Sequence, residues 1–249
     1  MKLKVICLSV FGVIFMSLVA LMSGVSEIVQ QEAGDDIIHI DGIDPTDMSA
    51  YYSMAEYYPP DDIDTLNVNW VGGRVEIIGF NEDYYFVEES ATKYLPEDKL
   101  LSYKCEGNVF NVFYVSSDDV VIEDAYKKLE IRIPKKMAEK LKAVNVNTNG
   151  EVVFKNFKAD SIKVNNINST VKFENTYSKD AQITTEAGTV YVNVENTVGY
   201  SVDYKSKSGY LNSYVGSGKN HYISGEGTYR YNVKTRSGNM IIALSEAVN

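Results

Sequence analysis

Apolar residues recur at every second position along most of this chain. Leu66, Val68 and Trp70 alternate with polar residues, as do Val75 and Ile77. LSYKC (101–105), a turn at Glu106-Gly107-Asn108 and VFNVFYV (109–115) read as a hairpin, and LEIRIP (129–134) as a further strand. Period two gives each strand one dry face and one wet face. KKMAEKLK (135–142) is the one helix expected beyond residue 26, with Met137 and Leu141 on one side and Pro134 at its start.

The alternation is organised into a repeat. Small turn residues stand at Gly73, Gly150, Ser169, Gly188, Gly209 and Gly238, the last five separated by 19, 19, 21 and 29 residues. Two places after them come Val75, Val152, Val171, Val190, Leu211 and Met240. Four places after come Ile77, Phe154, Phe173, Val192, Ser213 and Ile242. Five places before come Val68, Asn145, Val164, Ile183, Tyr204 and Val233, with Val146 replacing Asn145 if that turn is one residue shorter. Each unit therefore reads as strand, tight turn, strand. Glycine is expected at the corner because such turns often need a positive φ. Ordering one unit of about 20 residues costs roughly 20–40 kcal/mol. Burying five or six apolar side chains returns only about 8–18 kcal/mol, so units must stack. The expected fold is all-β, a β-helix or β-solenoid-like coil; an antiparallel β-sandwich is the alternative.

The first 26 residues differ in kind. Lys2 and Lys4 precede an uncharged run of 18 residues from Val5 to Met22. An 18-residue helix reaches about 27 Å, close to the ~30 Å hydrocarbon thickness. Residues 1–26 are expected to form an uncleaved signal anchor, a transmembrane helix; a cleaved signal peptide is the competing reading. No basic residue follows until Arg74, so the N-terminus is expected in the cytoplasm and the remainder outside the cell membrane. Residues 27–62, acidic, tyrosine-rich and broken by proline, read as an extracytoplasmic linker, and 63–249 as the β domain.

Charge and chemistry narrow the function. With Lys2 and Lys4 set aside, 22 basic residues face 34 acidic ones, which argues against nucleic acid and anionic bilayer surfaces as partners. Cys105 is the only cysteine outside the membrane run, so no internal disulfide is expected. His39 lies in the linker and His221 in a glycine-rich insertion, too sparse for a triad or a zinc site. Asp61-Asp62 and Asp118-Asp119 lack calcium-ligand spacing. No catalytic residue, cofactor or metal is expected. Tyr204 and Tyr231 fall on inward positions. Tyr191, Tyr210 and Tyr214 fall on outward positions of consecutive units and are the candidate ligand-binding residues. Such rings suit sugar faces or protein partners, or serve only as a cross-strand ladder.

Three stretches, LNVNWVGGRVEIIGF (66–80), KKLEIRIPK (127–135) and the T-x-[SG]-G-x-V-like turns from Thr148 onward, resemble the bacterial putative-adhesin domain of unknown function, over roughly 63–244. The resemblance implies a right-handed β-helical fold in a cell-envelope setting and no catalytic residues. The insertion GSGKNHYISGEG (216–227) and the long linker depart from it. The function expected is a membrane-anchored surface adhesin or scaffold that binds cell-wall or host glycan, or another envelope protein, through a repetitive β face. An envelope-stress or regulatory accessory protein and a polysaccharide-active β-helix enzyme are the alternatives.

Overall fold

A computed structural model describes residues 52–59, 62–114, 125–138, 141–195, 199–214, 216–217 and 220–244. The expected anchor (1–26) and most of the expected linker lie outside them. Among the described residues no helix is long and apolar enough to cross a membrane. β-Structure already begins at Tyr52, inside the stretch expected to be linker.

The strands, numbered along the chain, form two sheets. Sheet A runs in the order β1 (Tyr52–Tyr57), β4 (Phe86–Ala91), β7 (Lys127–Pro134), β3 (Arg74–Phe80), β9 (Glu151–Lys155), β11 (Val171–Glu174), β13 (Val190–Val194), β19 (Met240–Leu244), β15 (Leu211–Ser213) and β16 (Gly216–Ser217). Sheet B runs β17 (His221–Ser224), β14 (Tyr200–Ser206), β18 (Tyr229–Thr235), β12 (Tyr177–Thr185), β10 (Lys158–Asn166), β8 (Ala143–Thr148), β2 (Thr65–Trp70), β6 (Val109–Phe113) and β5 (Ser102–Glu106). The expected helix is reduced to α1 (Lys135–Ala138), with Met137 packed on the core and Leu141 buried beyond it.

This arrangement corrects the single coil expected from the repeat. Two open, mixed sheets enclose one core, so at the level of layers the sandwich alternative is the better description. The sandwich is nonetheless not antiparallel at its centre. From β6 through β14, and from β7 through β15, neighbouring strands run parallel. Antiparallel strands appear at the flanks: β4 and β1, β5, β16 and β17. These flanking strands end the parallel stacks, and the 216–227 insertion supplies two of them.

The columns follow the sequence. In sheet A, Leu129, Val75, Val152, Val171, Val190, Met240 and Leu211 pair in register, all buried. In sheet B, Val112, Val68, Val146, Val164, Ile183, Val233 and Tyr204 do the same. One feature of their order departs from the chain: the last unit, β18 and β19, lies between the units of β12/β13 and β14/β15.

The turn glycines have a different cause from the one expected. Among the repeat's turn glycines only Gly73 has a positive φ, of 87°. A Cβ built on Gly188 would stand 1.8 Å from the Ser169 carbonyl oxygen, and one on Gly238 2.1 Å from that of Gly188. Close approach of stacked turns therefore excludes a side chain. Under the turns at Gly188 and Gly238 a threonine side chain bonds the backbone: Thr185 and Thr235 Oγ1 accept the Gly188 and Gly238 amides at 3.1 and 2.8 Å.

Candidate functional site

Outward side chains of sheet A form rows that cross its strands. One row passes through Glu56, Glu88, Glu130, Glu76, Val153, Lys172, Tyr191 and Ile241. The next passes through Phe86, Arg132, Ile78, Lys155, Glu174, Asn193 and Ala243. Four adjacent glutamates would repel one another, but flanking cations hold the inner two, Glu130 and Glu76. Lys128 Nζ reaches Glu76 at 3.2 Å and Glu130 at 3.0 Å, and Arg74 Nε donates to Glu76 at 2.9 Å. Burial alone would raise the Glu76 carboxyl; Arg74, Lys128 and Lys155 outweigh it and hold the group below its ordinary range.

Where the acidic half of this face ends, a depression of about 220 Å³ opens around Tyr191, which is 40% exposed. Ile241 and Ala243 line it with Lys172, Glu174 and Asn193. The Lys172 ammonium is bound to Glu151 at 2.7 Å, whereas Glu174 has no ion pair among the described residues. The depression thus offers one ring, two aliphatic side chains, an acceptor carboxylate and an amide, on strands fixed on both sides by ladder bonds. Such a lining offers apolar and hydrogen-bonding contacts of the kind that suit an amphipathic ligand.

Tyr210 and Tyr214 are also exposed, at 56% and 37%, but do not join Tyr191. They flank β15, about 13 Å apart along an extended chain, and β19 lies between β15 and β13. The expected cluster on consecutive units fails because the last unit is interleaved there. Tyr214 stands instead near Tyr200, whose phenol is pushed up by burial and further by Tyr214 and Tyr222. Tyr204 and Tyr231 are buried, as their inward positions require.

Two other groups escape a reading by motif. At the far end of the same face, Tyr58 lies 5.7 Å from Tyr84 and 5.6 Å from Phe86 (ring centroids), and Tyr84 lies 5.5 Å from Phe80. The Arg132 guanidinium covers Phe86 at 5.0 Å. Tyr58 and Tyr84 come from connecting segments without periodicity, so no pattern joins them. In the interior, Lys127 and Glu89 form an ion pair with no exposed surface. Lys127 Nζ also donates to the Tyr114 and Lys99 carbonyls at 2.5 and 2.9 Å and lies 4.2 Å from the Tyr114 ring centroid.

His221, on β17, is exposed with Nδ1 2.8 Å from Asp203 Oδ1. Among the described residues no group of three His, Cys, Asp or Glu is placed to hold a metal ion.

No protein-family model matches this chain, and no curated protein matches it. Solved structures do. A putative cell adhesion protein from Clostridium sporogenes aligns over 77% of this chain and 99% of its own, with a TM-score of 0.53 at 13% identity. A putative adhesin from Bacteroides fragilis aligns over 81% and 100%, with a TM-score of 0.38 at 11% identity. A putative adhesin from Parabacteroides merdae aligns over 79% and 96%, with a TM-score of 0.31 at 7% identity. The resemblance carried by 66–80, 127–135 and the turns from Thr148 is thus met again in structure: the chain is similar in fold to the Clostridium sporogenes protein, which is named as a putative cell adhesion protein.

Proposed function

We propose that this protein is a non-catalytic binding module of a bacterial cell envelope, anchored by residues 1–26 and presenting the outer face of sheet A to its ligand. The supporting observation is the Tyr191 depression: a half-exposed ring and two aliphatic side chains beside the Glu174 carboxylate and the Asn193 amide, on strands paired on both sides. Such amphipathic, pre-formed concavities suit binding at little conformational cost. The name of the Clostridium sporogenes protein agrees with this reading. The stacked repeat serves here as a rigid mount that carries the face away from the membrane.

The test is retention of the intact chain, in detergent or nanodiscs, on glycan and protein arrays. Ligands retained by the parent are expected to be lost with Tyr191→Ala at unchanged far-UV circular dichroism. Retention indifferent to that substitution would refute Tyr191 as the binding residue.

A further inference from the structure

The Tyr191 depression and the aromatic corner at Tyr58 lie on one face and are joined by one row of side chains. That row starts at Phe86, beneath Tyr58, and runs through Arg132, Ile78, Lys155 and Glu174 to Asn193. It crosses β4, β7, β3, β9, β11 and β13 at right angles to the strands. Five strand spacings of about 4.8 Å make it about 24 Å long. Each strand contributes one side chain to the row, so the track repeats at a distance comparable with one sugar unit of an extended glycan. Tyr58 is 64% exposed at one end and Tyr191 40% at the other.

We infer that this row is the binding track of a linear, neutral glycan built of extended pyranose units, laid across the strands of sheet A with a tyrosine under each end. The inference rests on the reading of this face as the binding face and names its ligand class. Rings at both ends take the apolar faces of pyranoses, and the polar side chains between them meet hydroxyls. The Asn193 amide oxygen is buried without a donor, and an amide left so is satisfied when it rotates towards a ligand hydroxyl. The ligand is neutral because the depression has no cation to spare: Lys172 is held by Glu151, and Glu174 beside it is unpaired among the described residues. A chain of net charge −10 also repels a polyanion. A protein partner is disfavoured because, among the described residues of the row, aromatic side chains stand only at its ends, whereas protein interfaces concentrate them centrally.

Calorimetry on the intact chain tests this with chitin and cellulose oligosaccharides of one to eight units. In at least one series, affinity should rise with length, reach at least tenfold over the dimer at about six units, and then level off. Tyr58→Ala and Tyr191→Ala should each return the hexamer to the affinity of the dimer. Tyr191→Phe should keep it, since the ring rather than the hydroxyl is needed. Affinity independent of length, a hexamer indifferent to Tyr58→Ala, or no binding in either series overturns the track. If the oligosaccharides fail while an array ligand is lost with Tyr191→Ala, the track is wrong and the binding face stands. Array ligands indifferent to Tyr191→Ala refute the face itself.

Discussion

Lys127 is the residue that most constrains the fold. Its ammonium has no exposed surface, faces the Glu89 carboxylate and two carbonyls, and lies against Trp70 and Tyr114. Glu89 in turn accepts the Leu101 amide at 2.7 Å. Burial pushes the carboxyl up and the ammonium down, and their mutual attraction opposes both shifts. A pair so enclosed adds little net stability, but removing one partner strands the other charge. Lys127→Met is expected to lower unfolding free energy by about 3–5 kcal/mol, and adding Glu89→Leu to recover much of it. Urea denaturation of the two variants measures both effects; equal losses would show that the pair is not the cause. The inward position of Lys127 was legible in the sequence, since Leu129, Ile131 and Ile133 share its parity. Its partner was not, because Glu89 is 38 positions away and no local rule couples them.

At the scale of elements, the alternation specifies strand faces and the repeat specifies which residues stack. Val190, between Val171 and Met240, has no exposed surface. Val190→Asp is expected to cost at least about 4 kcal/mol, since nothing in the column can pair the charge. Thr184→Asp, on the outer side of sheet B beside Lys234, should cost about 1 kcal/mol or less. Thermal melting of the two variants separates them; similar losses would contradict the buried column. What the repeat could not convey is the order of units. Every unit presents the same dry face and the same turn, so β18/β19 fits between β12/β13 and β14/β15 as well as at the end of the stack. The long 209–238 spacing marks where the chain leaves and returns, yet not the position it returns to. That one exchange places Ile241, rather than Asn212, beside Tyr191, and so forms the depression.

The whole molecule has a pH window set by its two buried chemistries. On the acid side, Glu76 is held as a carboxylate by Arg74, Lys128 and Lys155. Its folded pKa lies below the unfolded value of about 4.3, so its contribution is present above that pH. It is lost as pH falls through the folded pKa. On the alkaline side, burial pushes the Tyr126 phenol up to about 12, and the Tyr231 and Tyr200 phenols higher still. The unfolded chain then releases these protons near pH 10 while the folded chain keeps them. The folded state binds more protons, so stability is complete below about pH 10 and falls as pH rises, by about 1.4 kcal/mol per pH unit for each such phenol. Absorbance at 295 nm should therefore rise in two phases. The rings that meet solvent should ionise first and reversibly, with native circular dichroism. The buried rings should ionise only as the dichroism is lost. Tyr126→Phe removes one held phenol and should move the alkaline unfolding midpoint upward. A single phase complete by pH 11 with native dichroism would mean that Tyr200 and Tyr231 meet solvent, and that the two sheets do not enclose the common core on which the outer binding face depends.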